Sequence, residues 1–166
     1  MIEGDAVIHE LELPVPPEQA FDMSTDPGQL VRWIGISADV EPAPGGRFRF
    51  EILPRQFCEG RYVVVARPGR LVFTWDWTDP GFGLPPGGSR VEVTLTRCPD
   101  DPGRTRLRLV HGGLSPDLGL LHDDGGSRFL DRLAAVVTGD APAAYPTEQP
   151  DQRLAVLRRR HDARDT

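Results

Sequence analysis

A chain of 166 residues with 39% apolar residues and a formal charge of −6 has the size of one domain, long enough to bury a core or enclose a small cavity without disulfide support. The negative balance argues against a non-specific nucleic-acid binder, which needs a basic footprint. No run approaches the ~20 apolar residues of a membrane helix, and the N-terminus lacks the basic flank and apolar stretch of a signal peptide, so a soluble cytoplasmic protein is expected.

The first element is AVIHELEL (6–13), in which Val7, His9, Leu11 and Leu13 alternate with Glu10 and Glu12, the pattern of a half-buried strand. PPEQAFDM then opens a short helix with proline in its first turn. Ser24, Thr25 and Asp26 before PGQLVRWI give a cap-then-proline signal for a second short helix, closed by Trp33. PAPGG (42–46) is a turn, and RFRFEI follows with Phe48, Phe50 and Ile52 on one face. CEGRYVVVA (58–66) is the next strand, and PGR (68–70) is a tight turn. LVFTWDW (71–77) sets Leu71, Phe73, Trp75 and Trp77 on a single face, and DPGFGLPPGG (79–88) is a loop. Val91, Val93 and Leu95 of SRVEVTLT share a side, as do Thr105, Leu107, Leu109 and His111 of RTRLRLVHGGL.

A strand, two small helices and five successive strands predict an antiparallel meander with one apolar face, which has to be covered. The long helical pattern available is SRFLDRLAAVVTG (127–139), with an apolar stripe of Phe129, Leu130, Leu133, Val136 and Val137 and a stop at Gly139. The expected architecture is α+β: a curved antiparallel sheet gripping a long helix, all within residues 1–139. Residues 140–150 read as a Pro-rich linker and 151–166 as a short Arg-rich helix or tail.

Several motifs in this order resemble the START-like helix-grip superfamily and, within it, the family named for activators of the heat-shock-chaperone ATPase. They are VPPEQAF (15–21), TDPGQLVRW (25–33), PGGRFRFE (44–51), EGRYVVVARPGRLVFTW (59–75), RTRLRLVHGGL (104–114) and HDDGGSRFLDRL (122–133). The resemblance implies a seven-stranded sheet around a C-terminal helix with a cavity between them. It leaves the activity open, because relatives include chaperone co-activators, polyketide cyclases, lipid and hormone carriers and small bacterial proteins.

Trp33, Phe48, Phe50, Phe73, Trp75, Trp77, His111, Phe129 and Leu133 are expected to converge as a cavity wall, with Trp33 at the mouth. His111 is the titratable group placed on the inner face, either as a structural neutral histidine or as a hydrogen-bonding acid/base group. His9 points inward by alternation. Asp76 and Asp79 read as solvated acids beside a loop. His122 reads as a loop residue and Asp124 as part of a helix cap, while Gly126 stands where the family usually has tryptophan. That loss predicts a wider mouth or a neighbour, Phe82 or Trp77, in the gap.

The histidines have no metal-ligand spacing, and Cys58 and Cys98 fit no zinc pattern and read as reduced thiols. No catalytic residue, metal or cofactor is assigned. The leading expectation is binding of a small hydrophobic or aromatic molecule, with no nucleic-acid or membrane partner. A cyclase or aromatase using His111, a chaperone co-factor role and a homodimer remain open.

Overall fold

The computed structural model describes residues 1–79 and 83–166. Eight strands form one antiparallel sheet: β1 (Ile2–Glu3), β2 (Ala6–Leu13), β3 (Ser37–Val40), β4 (Arg47–Leu53), β5 (Gln56–Ala66), β6 (Arg70–Trp77), β7 (Ser89–Cys98) and β8 (Asp101–Gly112). Their order is β1-β2-β8-β7-β6-β5-β4-β3, so the N-terminal strands close onto the last one. The helices are α1 (Pro17–Thr25), α2 (Pro27–Leu30), α3 (Pro116–Val137) and α4 (Pro150–Asp162). Between them, α1 and α2 carry the chain from β2 to the opposite edge of the sheet.

The sheet has one strand more than the seven implied by the resemblance. The short strands β1 and β3 are too brief to show alternation, and each exists by pairing with a longer neighbour, β2 and β4. Register follows the apolar pattern. Val7 lies opposite His111, His111 opposite Val91, Val91 opposite Phe73, and Phe73 opposite Tyr62. This lateral row lies on one face, because partners across an antiparallel pair point to the same side. On the other face, Glu10 pairs with Arg108 and Glu12 with Arg104 and Arg106, all well exposed. Such pairs contribute roughly 0.2–1 kcal/mol each at most.

The principal correction concerns α3. It begins at Pro116, capped by the Ser115 hydroxyl accepting from Leu118 N–H, not near Ser127. HDDGGSRFLDRL therefore lies wholly inside a helix. Its buried face runs through Leu118, His122, Leu130, Leu133 and Val136, at the three- and four-residue spacing of a helical stripe. Each fully buried aliphatic side chain there contributes about 1.5–3 kcal/mol. The helix packs mainly on β2 and also against α4.

Candidate functional site

Between the sheet's apolar face and α3 lies a cavity of about 230 Å³. The nine residues expected to converge all border it: Phe48 and Phe50 from β4, Phe73, Trp75 and Trp77 from β6, His111 from β8, Phe129 and Leu133 from α3, and Trp33 from the turn after α2. The rings of β4 and β6 form a continuous cluster. Phe48 lies 5.2 Å from Phe50, 5.2 Å from Phe73 and 6.0 Å from Trp75 between centroids. Trp75 meets Trp77 edge-on at 5.8 Å. Phe48 can lie this close to β5 because Gly60 has no side chain: a Cβ there would come within 2.8 Å of Phe48 Cε1 and 1.9 Å of the Thr74 carbonyl oxygen.

His111 borders the cavity and is held beside two polar groups, His122 and Ser89, that the sequence does not bring to it. His122 is a buried helical residue, not a loop residue, and its ring meets His111 edge-on at 4.8 Å. Its Nδ1 lies 2.8 Å from the Leu118 carbonyl oxygen, and its Nε2 lies 3.1 Å from Trp77 Nε1. The carbonyl only accepts and the indole N–H only donates, so His122 is neutral with its proton on Nδ1. Ser89, buried at the start of β7, places its Oγ 2.6 Å from the Trp75 carbonyl oxygen and 2.8 Å from His111 Nε2. Burial pushes His122 down to about 4; burial and the neighbouring His122 push His111 down to about 3.

His9 does not join them. It lies opposite Leu109 in the β2–β8 ladder, and its Nε2 sits 3.5 Å from Asp123 without forming a hydrogen bond. Burial, then the nearby N-terminal ammonium, lowers its pKa despite Asp123 and Asp131. His9 also answers the question of the absent tryptophan. A Cβ on Gly126 would lie 3.1 Å from His9 Nε2 and 3.2 Å from its Cδ2, so the His9 ring fills that space. Of the two neighbours expected to do so, Trp77 instead donates to His122, and Phe82 lies outside the described residues.

Gly125 differs, since a Cβ there meets nothing within 4 Å. Gly125→Ala is expected to stabilise the helix by roughly 0.5–1 kcal/mol, raising Tm by about 1–4 °C in a thermal melt. Gly126→Ala should gain less, because its methyl group meets His9. Equal gains would show that His9 does not hold that space.

Asp124 is not a cap but a mid-helix anchor. It accepts from Arg128 at 3.0 Å and from Arg153 of α4 at 2.9 and 2.5 Å. Burial works to raise its pKa, yet Arg153 and Arg128 hold it below the usual carboxylate value. Asp76 is likewise not solvated: it is buried, accepts from Gly87 N–H at 3.3 Å, and is raised chiefly by burial. Among the described residues no cluster of His, Cys, Asp and Glu could hold a metal ion.

Tyr145, Pro146, Glu148, Pro150 and Arg153 also border the cavity, from the segment read as a linker and tail. Tyr145 Oη accepts from Gly35 N–H at 2.7 Å and donates to the Trp33 carbonyl at 3.0 Å. Arg132 stacks on the Tyr145 ring at 4.1 Å and donates to the same Trp33 carbonyl and to Ala143 O. With Arg158 paired to Asp117 on α3, these contacts strap the C-terminal segment over the helix side of the cavity.

A curved antiparallel sheet gripping a long helix over an apolar, aromatic-walled cavity defines a START-like helix-grip domain. The family model described as "Activator of Hsp90 ATPase homolog 1-like protein" matches residues 14–138, and the chain belongs to that family. The cavity-lining residues after Gly139 lie beyond the matched region.

The AHSA1-like protein of Rhizobium etli is 35% identical, with a TM-score of 0.67 over 87% of this chain and 88% of its own. A protein of Mesorhizobium loti is 27% identical, with a TM-score of 0.70 over 81% of this chain and 97% of its own. A D-aminopeptidase of Gluconobacter oxydans is 30% identical over 152 residues, 75% of this chain. The chain spans only 28% of that relative's length. No described helix is long and apolar enough to cross a membrane.

Proposed function

We propose that this domain binds a small hydrophobic or aromatic molecule in the cavity between sheet and α3. The observation that carries this reading is the cavity itself: about 230 Å³ of space in an aromatic wall that also presents His111 and His122. Such a site gains affinity from apolar contact and orientation from a small number of placed polar atoms. The reading is of a carrier or sensor rather than an enzyme. His111, with its pKa pushed down to about 3, is a weak base at neutral pH and carries no proton surplus to donate as an acid.

The chain contains three tryptophans, and all three border the cavity. Titration with small aromatic compounds is therefore expected to quench or shift the intrinsic fluorescence saturably. Native mass spectrometry of freshly purified protein should also find a retained small molecule. A panel of aromatic compounds that leaves both signals unchanged would sink the ligand-binding reading.

The family's description favours a second reading, action on an Hsp90-type chaperone. If it holds, the purified domain stimulates the ATPase of such a chaperone several-fold at micromolar concentration. No stimulation and no co-sedimentation would remove it.

A further inference from the structure

Two polar atoms in the cavity wall are left without partners, and their identities follow from the hydrogen bonds around them. Ser89 Oγ lies within bonding distance of both the Trp75 carbonyl oxygen, at 2.6 Å, and His111 Nε2, at 2.8 Å. A hydroxyl has one proton and a carbonyl has none, so that proton goes to Trp75 O. Ser89 Oγ must then accept, and His111 Nε2 must carry the hydrogen. In a neutral imidazole this leaves Nδ1 as a bare acceptor. No hydrogen bond among the described residues engages it. His122 cannot supply one, since its Nδ1–H is given to Leu118 O and its Nε2 takes the Trp77 N–H.

The second atom is Trp75 Nε1, a donor in the same wall, buried and with no partner. A donor buried in this way has given up water without gaining a partner, so an acceptor brought in by a ligand would satisfy it. The His111 and Trp75 ring centroids are 6.2 Å apart. One oxygen about 2.8 Å from each of two nitrogens spans up to about 5.6 Å between them, so it joins the pair when both nitrogens turn toward the space between the rings. A hydroxyl is the simplest group that donates to one and accepts from the other.

We propose that the cavity selects an uncharged aromatic molecule carrying a hydroxyl group, which donates to His111 Nδ1 and accepts from Trp75 Nε1–H. This inference rests on the reading of the cavity as a ligand site and adds the chemistry it selects. An ionised hydroxyl would set its charge against a bare lone pair in an apolar chamber, with neither histidine protonated to compensate. The cyclic body of the ligand lies against Phe48, Phe50 and Phe73, and the hydroxyl faces His111 and Trp75.

The test is a tryptophan-fluorescence titration of the whole chain with naphthol, its methyl ether and naphthalene. These share an aromatic body, but only naphthol has a donor. Wild type is expected to bind naphthol about tenfold tighter than the ether, a preference of about 1.4 kcal/mol. In His111→Phe, which removes the acceptor, naphthol and the ether should bind within about threefold of each other, while naphthalene still binds.

Equal affinity of wild type for naphthol and its ether overturns the hydroxyl proposal and leaves the ligand-site reading standing. Binding of none of the three overturns both. The comparison in wild type decides the matter even if His111→Phe does not fold. Where the variant folds, full retention of the naphthol preference overturns the role of His111.

Discussion

Phe48→Ala is expected to lower stability by about 3–5 kcal/mol, the usual cost of emptying a buried phenylalanine site. Phe48 is 2% exposed and touches Phe50, Tyr62, Phe73 and Trp75 with its ring. It is the common member of the aromatic wall. Its removal strips edge and face contacts from four rings together, and the gap opens into the existing cavity. Relaxation is limited because Gly60 and the Thr74 backbone fix β5 and β6 at their separation. Tm should fall by about 10 °C, and urea denaturation should show the midpoint shifted with little change in slope. A loss below about 1 kcal/mol would mean that the wall is loosely packed. The variant that survives should take bulkier aromatic probes than wild type, since the volume lost by the side chain is added to the ligand space.

The wall itself was legible in the sequence because strand alternation is a local signal. Phe48 and Phe50, Phe73, Trp75 and Trp77, and Leu109 and His111 each stand two residues apart, so the face follows once the strand is recognised. His122 was hidden for a different reason. HDDGG combines two adjacent acids with two glycines, which suggests a loop followed by a helix that begins only after them. Yet SPDL at 115–118 is the same cap-then-proline signal that located α2 at Asp26–Pro27. Continued from Leu118, the four-residue step lands on His122 and then Gly126. Local propensity argued one way, and packing on β2 decided the other.

Ser89 and Asp76 were hidden by tertiary contacts. The burial of Asp76 depends on Gly87 lying against β6, and no periodicity encodes that. Tyr145 shows the same limit. Its composition places it in a linker, while its hydroxyl bonds to Gly35 and Trp33, more than a hundred residues away.

The second large effect expected is a loss of stability on mild acidification. His111 and His122 have folded-state pKa values pushed to about 3 and about 4, against 6.5 when unperturbed. Between pH 6.5 and about 4 the unfolded chain therefore binds protons at these sites and the folded chain does not. Unfolding takes up protons in that window, so stability falls as the pH drops. The contribution is fully present above pH 6.5 and declines at about 1.4 kcal/mol per unit for each histidine. From pH 7 to pH 5 the pair is expected to lose roughly 3–4 kcal/mol, before ordinary carboxylates, with reference values of about 4, begin to titrate. His9, also lowered chiefly by burial, acts in the same direction.

Urea midpoints at pH 7, 6 and 5 measure the slope. His111→Gln and His122→Gln should each reduce it by about one proton. A stability that stays flat from pH 7 to 5 would mean that the folded protein protonates these rings and that water reaches them. That result would bear on binding as well. The desolvation that keeps the pair neutral is also what leaves His111 Nδ1 as an acceptor, so a cavity wet enough to protonate it would offer a ligand hydroxyl a donor instead.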